Sequence, residues 1–247
     1  MKNLLFNFMC AMACFACQSD KSFNAVAPNS GKGGSLARFT IVGDNLYTVN
    51  ENKLNAFSID NDQNLSKKSS QEIDAFAETI FPFKNHLLLG TRTGMFVYSL
   101  VNPDKPVFAS RYTHMASCDP VVAAGDFAYV TLRSGSPCQR GNNQLDVLNI
   151  SNLNAPQFIN SIQLKNPHGL SIANNSLLVC EKDFGLSIFD ISSPEKVVKF
   201  KSIADIKAFD AITNGNRVIF TGVNGISQYL MSDNAEFQLL SQINLNE

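Results

Sequence analysis

A pattern that returns five times constrains this chain more than any other feature. Two-residue turn signals stand at Gly43-Asp44, Lys84-Asn85, Gly125-Asp126, Asn174-Asn175 and Gly215-Asn216, in steps of 41, 41, 49 and 41 residues. Four residues before each turn comes an apolar residue: Phe39, Ile80, Val121, Leu170 and Ala211. Four residues after its first member come Tyr47, Leu88, Tyr129, Leu178 and Ile219, then Leu54, Met95, Leu145, Leu186 and Ile226 further on. Ile59, Leu100, Ile150, Ile191 and Met231 follow at a spacing of five, ahead of turns such as Asn102-Pro103 and Ser193-Pro194. Each unit thus reads as four short strands joined by hairpin-type turns. A lone sheet of that size cannot bury both faces, so neighbouring units must stack. The expectation is an all-β chain, a β-propeller of five four-stranded blades over residues 35–247.

The third-strand sequences carry a family resemblance. Leu145-Asp-Val-Leu-Asn-Ile-Ser151 and Leu186-Ser-Ile-Phe-Asp-Ile-Ser192 resemble the LVIVD repeat of bacterial propellers, an apolar run closing on Asp-Ile-Ser with Pro soon after. Cys118-Asp-Pro120, Gln144-Leu-Asp-Val147 and Asn166-Pro-His-Gly-Leu170 are similar to stretches of LVIVD lipoproteins. The likeness is strong in blades three and four and weak in one and five, where Ala56-Phe-Ser-Ile-Asp60 and Gln228-Tyr-Leu-Met-Ser232 depart from it. It implies a fold and an exported setting, and no reaction.

The N-terminus reads as a targeting segment. Lys2 precedes an apolar run over residues 4–16 broken by Asn7, shorter than the ~20 residues a spanning helix needs but suited to a signal peptide, residues 1–16. Phe15-Ala16-Cys17-Gln18-Ser19-Asp20 resembles a bacterial lipobox of the Bacteroidota type, which makes Cys17 the lipidated first residue of the mature chain. Cys14, after Ala13, is an alternative, as is an ordinary cleaved signal. Residues 17–34 then form the lipidated Cys and a polar tether with an r.m.s. reach of roughly 20–25 Å. The expected setting is the cell envelope, at the outer membrane, on its periplasmic or surface side.

With 20 basic and 21 acidic residues, the chain has no field to attract nucleic acid. The long step in the repeat comes from an insertion within residues 134–143 that holds Cys138, while Cys118 opens the same blade. In an exported protein such a pair favours a disulfide, contributing about 3 kcal/mol in the chain-entropy picture; two free thiols are the alternative. Cys180 reads as a small buried hydrophobe. No further Cys or His recurs at zinc-ligand spacing, and no metal or cofactor is expected.

In a blade the first strand lines the central channel, and its start shares a face with the loop between strands two and three. Ala37, Glu78, Asp119, His168 and Phe209 therefore ring the channel mouth, with Glu51, Arg92, Arg133, Lys182 and Val223 closing the second strands beside them. In blades two to four this sets Glu78, Asp119 or His168 nearly opposite Arg92, Arg133 or Lys182. One reading is a polar funnel for an anionic or sugar-like ligand, or for a divalent cation at Glu78, Asp119 and His168. The other is ordinary cross-strand charge pairing worth tenths of a kcal/mol. No G-x-S-x-G elbow, H-E-x-x-H or phosphate-binding loop is present. Phe39, Phe57 and Phe189 read as core, Tyr112 and Met115 as funnel rim. The expected function is a non-enzymatic lipoprotein scaffold, bound to the membrane by its anchor and presenting a propeller face to a protein or glycan. The alternative is a small-ligand receptor or enzyme working in the funnel. Whether strand 237–245 closes the ring alone, or the tether adds a strand, is left open by the pattern.

Overall fold

The computed structural model describes residues 33–113, 120–134 and 142–245. Within them lie five antiparallel sheets of four consecutive strands each, a five-bladed β-propeller. Blade one is β1 (Phe39–Val42), β2 (Asn45–Asn50), β3 (Lys53–Ile59) and β4 (Leu65–Glu72). Blade two is β5 (Ala77–Phe83), β6 (His86–Thr91), β7 (Gly94–Ser99) and β8 (Val107–Thr113). Blade three is β9 (Val121–Ala124), β10 (Phe127–Leu132), β11 (Gln144–Asn149) and β12 (Gln157–Gln163). Blade four is β13 (Leu170–Ala173), β14 (Ser176–Cys180), β15 (Leu186–Asp190) and β16 (Val198–Ile203). Blade five is β17 (Ala208–Asn214), β18 (Arg217–Gly222), β19 (Gly225–Met231) and β20 (Phe237–Asn244).

Backbone conformation explains why the five turn signals sit where they do. Their first residues, Gly43, Lys84, Gly125, Asn174 and Gly215, all take a positive φ between 50° and 61°. Glycine meets that demand freely and asparagine tolerates it, whereas Lys84 holds it at a cost. A β-bulge recurs in every blade between strands three and four, after Ala56, Val97, Val147, Ile188 and Gln228. Each bulge adds local twist, which a stacked blade needs.

Four of the junctions between blades are filled. Tyr47 and Leu54 meet Leu87, Leu89 and Phe96 between blades one and two. Leu88 and Met95 meet Ala128 and Val130 between two and three. Tyr129 and Leu145 meet Leu177, Val179 and Phe189 between three and four. Leu178 and Leu186 meet Val218 and Phe220 between four and five. Cys180 is fully buried in this last core, as a small hydrophobe would be.

The fifth junction differs. Inner strands pack side by side from β1 to β5, β9, β13 and β17, but β17 and β1 do not meet in that way. The repeat shows this residue by residue. Four residues before the turn, Ile80, Val121, Leu170 and Ala211 are buried, while Phe39 is 59% exposed. On the third strand, Leu54, Met95, Leu145 and Leu186 are fully buried, while Ile226 is 40% exposed. Ile243 on the outer strand of blade five is exposed too, whereas its counterpart Ile162 is half-buried. Phe189 is core as expected, but Phe39 is not and Phe57 is only half-buried. Both lie on the face of blade one against which no sheet packs among the described residues, so their apolarity is not converted into the ~1.5–3 kcal/mol that full burial contributes.

β20 is the outer strand of blade five and pairs with β19, so no strand is exchanged between the ends of the described chain. Residues 33–37 instead form a strap. Ser35 Oγ accepts from the Leu170 amide at 2.8 Å and donates to Asp210 at 3.1 Å. The Leu36 amide reaches the same carboxylate at 3.3 Å, and the Ala37 carbonyl accepts from the Ile80 amide at 2.9 Å. The strap thereby ties blades two, four and five to the start of blade one. Tyr112 lies on the outer strand β8, stacked on Phe158 of blade three with centroids 6.5 Å apart. It does not line the mouth, contrary to its reading as rim; Met115 lies outside the described residues.

Candidate functional site: the channel mouth

Two of the ring positions are aimed by bulges. The β5–β6 pairing skips a residue between Ala77 and Thr79, and the β17–β18 pairing skips one between Ala208 and Asp210. The skipped residues are Glu78 and Phe209, the expected ring residues of their blades. A bulged residue leaves the ladder and can be redirected. Leu36, Arg38, Glu78, Thr79, Arg133 and His168, with Pro120 and Pro167, line a cavity of about 240 Å³ there. Below it, the inner strands enclose a more apolar cavity of about 320 Å³, walled by Phe81, Val122, Leu170 and Ile172 with Gly33 and Ser35 of the strap. Ala37, the ring position of blade one, faces the open junction instead.

Glu78 and Arg92 form the expected cross-strand pair, Nε to Oε1 at 2.9 Å. The Arg92 guanidinium also lies over Phe76, 3.9 Å from the ring centre, so stacking and charge hold it in one place. Arg133 makes a contact that strand register within one blade does not foretell. Its Nη1 lies 2.7 Å from Nδ1 and 2.9 Å from Nε2 of His168 in the next blade. A guanidinium only donates, so the imidazole faces it as an acceptor. Burial first, then Arg133 and Lys182, pushes His168 down to about 4, so the ring is neutral at pH 7. Burial also lowers Arg133, against the opposing charge of Glu78.

His168 is held by its backbone as well. Its amide donates to the Cys180 carbonyl and its carbonyl accepts from Thr131 Oγ1, both at 2.8 Å. The ring packs 5.7 Å from Phe209. Lys182 sits in a short 3₁₀ turn, its Nζ 5.8 Å from the centre of the Phe209 ring and 4.0 Å from Asp183. Asp119 lies outside the described residues, as do Cys17, Cys118 and Cys138. For a divalent cation, the described members of the expected set are poor ligands. Glu78 and His168 each face an arginine that the cation would have to displace.

Three residues that sequence reasoning passed over hold or complete the mouth. Arg38, one position after the ring residue of blade one, is exposed in the cavity lining and makes no ion pair among the described residues. Glu181 is buried, its carboxylate accepting from the Lys165 amide at 2.6 Å and from the Ser187 hydroxyl, with Lys199 Nζ at 3.6 Å. It fixes the loop that delivers Pro167 and His168. Asp210 is buried under the strap, and burial outweighs its hydrogen bonds to raise it to about 6. The signal for both acids was their place within or directly after an otherwise apolar strand, since a buried carboxylate needs partners.

The site can donate from the Arg38 and Arg133 guanidiniums and accept at the Glu78 carboxylate, while the one acceptor nitrogen of the neutral imidazole faces Arg133. That suits a carboxylate flanked by hydroxyls better than proton transfer, since a base titrating near 4 is weak at neutral pH.

No family profile and no curated protein sequence matches the chain. Its fold is shared with solved structures. A periplasmic gluconolactonase of Pseudomonas aeruginosa is similar at TM-score 0.64 and 14% identity, over 82% of this chain and 68% of that one. A protein from Lactobacillus plantarum aligns at 0.67 and 13%, over 81% and 68%. A functionally unknown protein from Desulfotomaculum acetoxidans aligns at 0.66 and 12%, over 83% and 67%. This chain thus spans about two thirds of the length of each, and at such identities the likeness is one of fold: a β-propeller.

Proposed function

We propose that this chain is a non-enzymatic cell-envelope lipoprotein of the LVIVD-repeat type, held at the outer membrane through Cys17, whose channel mouth binds the acidic end of a glycan. The observation that carries this reading is Arg38, without an acid partner among the described residues, beside the Arg133–His168 pair in a cavity of about 240 Å³. Arg92, by contrast, is already matched by Glu78. A carboxylate entering the mouth meets the Arg38 guanidinium, and sugar hydroxyls meet the Glu78 carboxylate. The probe is galacturonate oligosaccharide, titrated calorimetrically against the matching neutral galactose oligosaccharide. Binding of the acidic form, weakened tenfold or more by Arg38→Ala, supports the reading; equal or absent binding of both overturns it. Because one structural neighbour is a gluconolactonase, sugar-lactone turnover is measured on the same preparation. Turnover abolished by His168→Asn would replace the receptor reading with an enzymatic one.

A further inference from the structure

We propose that the acidic glycan continues from the channel mouth across blade four, over two further stations, Phe209 with Lys182 and Phe184 with Lys165. This rests on the uronate reading of the mouth and deepens it: the ligand is a chain of acidic sugars rather than a single one.

The side chains follow one another from the mouth outward. His168 lines the mouth cavity, and its ring packs 5.7 Å from Phe209. Lys182 Nζ lies 5.8 Å from the centre of the Phe209 ring. The short 3₁₀ turn that begins at Lys182 ends on Phe184, and Lys165 Nζ lies 5.3 Å from the centre of that ring. Each station thus joins an aromatic ring to an ammonium. The C–H face of a pyranose packs on the electron-rich face of such a ring, and a uronate's carboxylate meets the cation beside it. Asp183 is the one acid in the turn; it is exposed and 4.0 Å from Lys182, where solvent and salt screen it.

Phe184 is 53% exposed, so its burial adds little to the fold. Its turn is nevertheless fixed. The buried Glu181 carboxylate accepts from the Lys165 and Asn166 amides and from the Ser187 hydroxyl, so one acid holds both Lys165 and the turn that follows it. The Phe184 and Gly185 amides close the turn on the carbonyls of Glu181 and Lys182. An exposed ring on a rigid frame loses little freedom when a ligand lands on it.

The test is calorimetric titration of galacturonic acid and of trigalacturonate against the full chain. The trimer is expected to bind at least tenfold more tightly than the monomer. Phe184→Ala is expected to remove that gain and Phe184→Tyr to keep it. Lys165→Gln is expected to cut the gain as well, and it keeps the test decisive should Phe184→Ala fold poorly. Monomer and trimer binding alike, or a gain that survives both Phe184→Ala and Lys165→Gln, would overturn the path across blade four and leave the mouth reading intact. A gain that Phe184→Ala removes and Arg38→Ala does not touch would count against the mouth alone. An equal gain with neutral galactotriose would show the lysines to be idle and overturn the acidic chain. No binding of either acidic sugar overturns both readings.

Discussion

The Ser35 hydroxyl donates to the Asp210 carboxylate at 3.1 Å, across 175 positions of sequence. This bond and the Leu36 amide on the same carboxylate tie the beginning of the described chain to its last blade. Asp210 is buried and its acid form is favoured, near pH 6 against 3.8 in an unfolded chain. Between those values the native state binds more protons than the unfolded one, so this residue's contribution to stability falls as pH rises. His168 acts in the other direction. Its basic form is favoured down to about 4 against 6.5, so its contribution rises with pH over that range. From pH 4 to 6 the two nearly offset each other. Relative to wild type, the slope of melting temperature against pH is expected to turn more negative in His168→Asn and more positive in Asp210→Asn. Calorimetric scans at half-unit steps check the signs, and parallel curves for all three proteins would contradict it.

Gly169 is the second grip on Asp210. A Cβ there would stand 2.1 Å from the Asp210 Oδ1 and 2.8 Å from its Cα. A flexible tip can move away, but a backbone atom cannot do so cheaply. Gly169→Ala is expected to cost about 2–3 kcal/mol, as overpacking does, lowering the melting temperature by roughly 2–4 °C per kcal/mol. Gly43→Ala is the control, since its Cβ meets nothing within 4 Å. It therefore carries only the strain of a φ of 58°. A thermal melt in which both variants fall equally would show the clash to be unimportant.

These contacts mark where sequence reasoning reached its limit. The repeat made the blades legible because strand period and turn chemistry are local. It also made Glu78–Arg92 legible, since paired strands bring those spacings together. Arg133–His168 was not, because it crosses between blades, and register inside one blade says nothing about the next. Phe39 misled for the same reason. Its position is apolar in all five repeats, but burial depends on a neighbouring sheet, and among the described residues none packs against blade one on that side. Asp210 and Glu181 carry no periodic signal at all. Each is a single acid whose partners come from a strap or loop far off in the chain.

Lys84 breaks the turn rule that its four counterparts keep. It holds a φ of 50° where three glycines and an asparagine stand elsewhere. Its ion pair with Asp126, 3.2 Å long, joins two side chains more than half exposed, and such pairs contribute little. Relief of backbone strain should therefore win. Lys84→Gly is expected to stabilise the protein by about 0.5–1 kcal/mol, net of the unfolded-state entropy that glycine adds. Chemical denaturation with an unchanged m-value is the check, and a loss of stability would show that the Asp126 contact outweighs the turn.

The state of His168 can be read directly. Burial is the larger cause of its low value and the Arg133 charge the next. Removing the arginine should therefore raise it only part of the way toward 6.5, because the ring remains enclosed by Phe209 and Pro167. In Arg133→Ala, an NMR titration of the His168 ring is expected to show a midpoint between about 4 and 6.5, with the ring still neutral at pH 7. Arg133→Lys keeps the charge without the planar guanidinium whose Nη1 faces both ring nitrogens, and its midpoint should stay low. If Arg133→Ala restored a fully ordinary imidazole, burial would not be the main cause, and charge alone would set the proton state of the mouth.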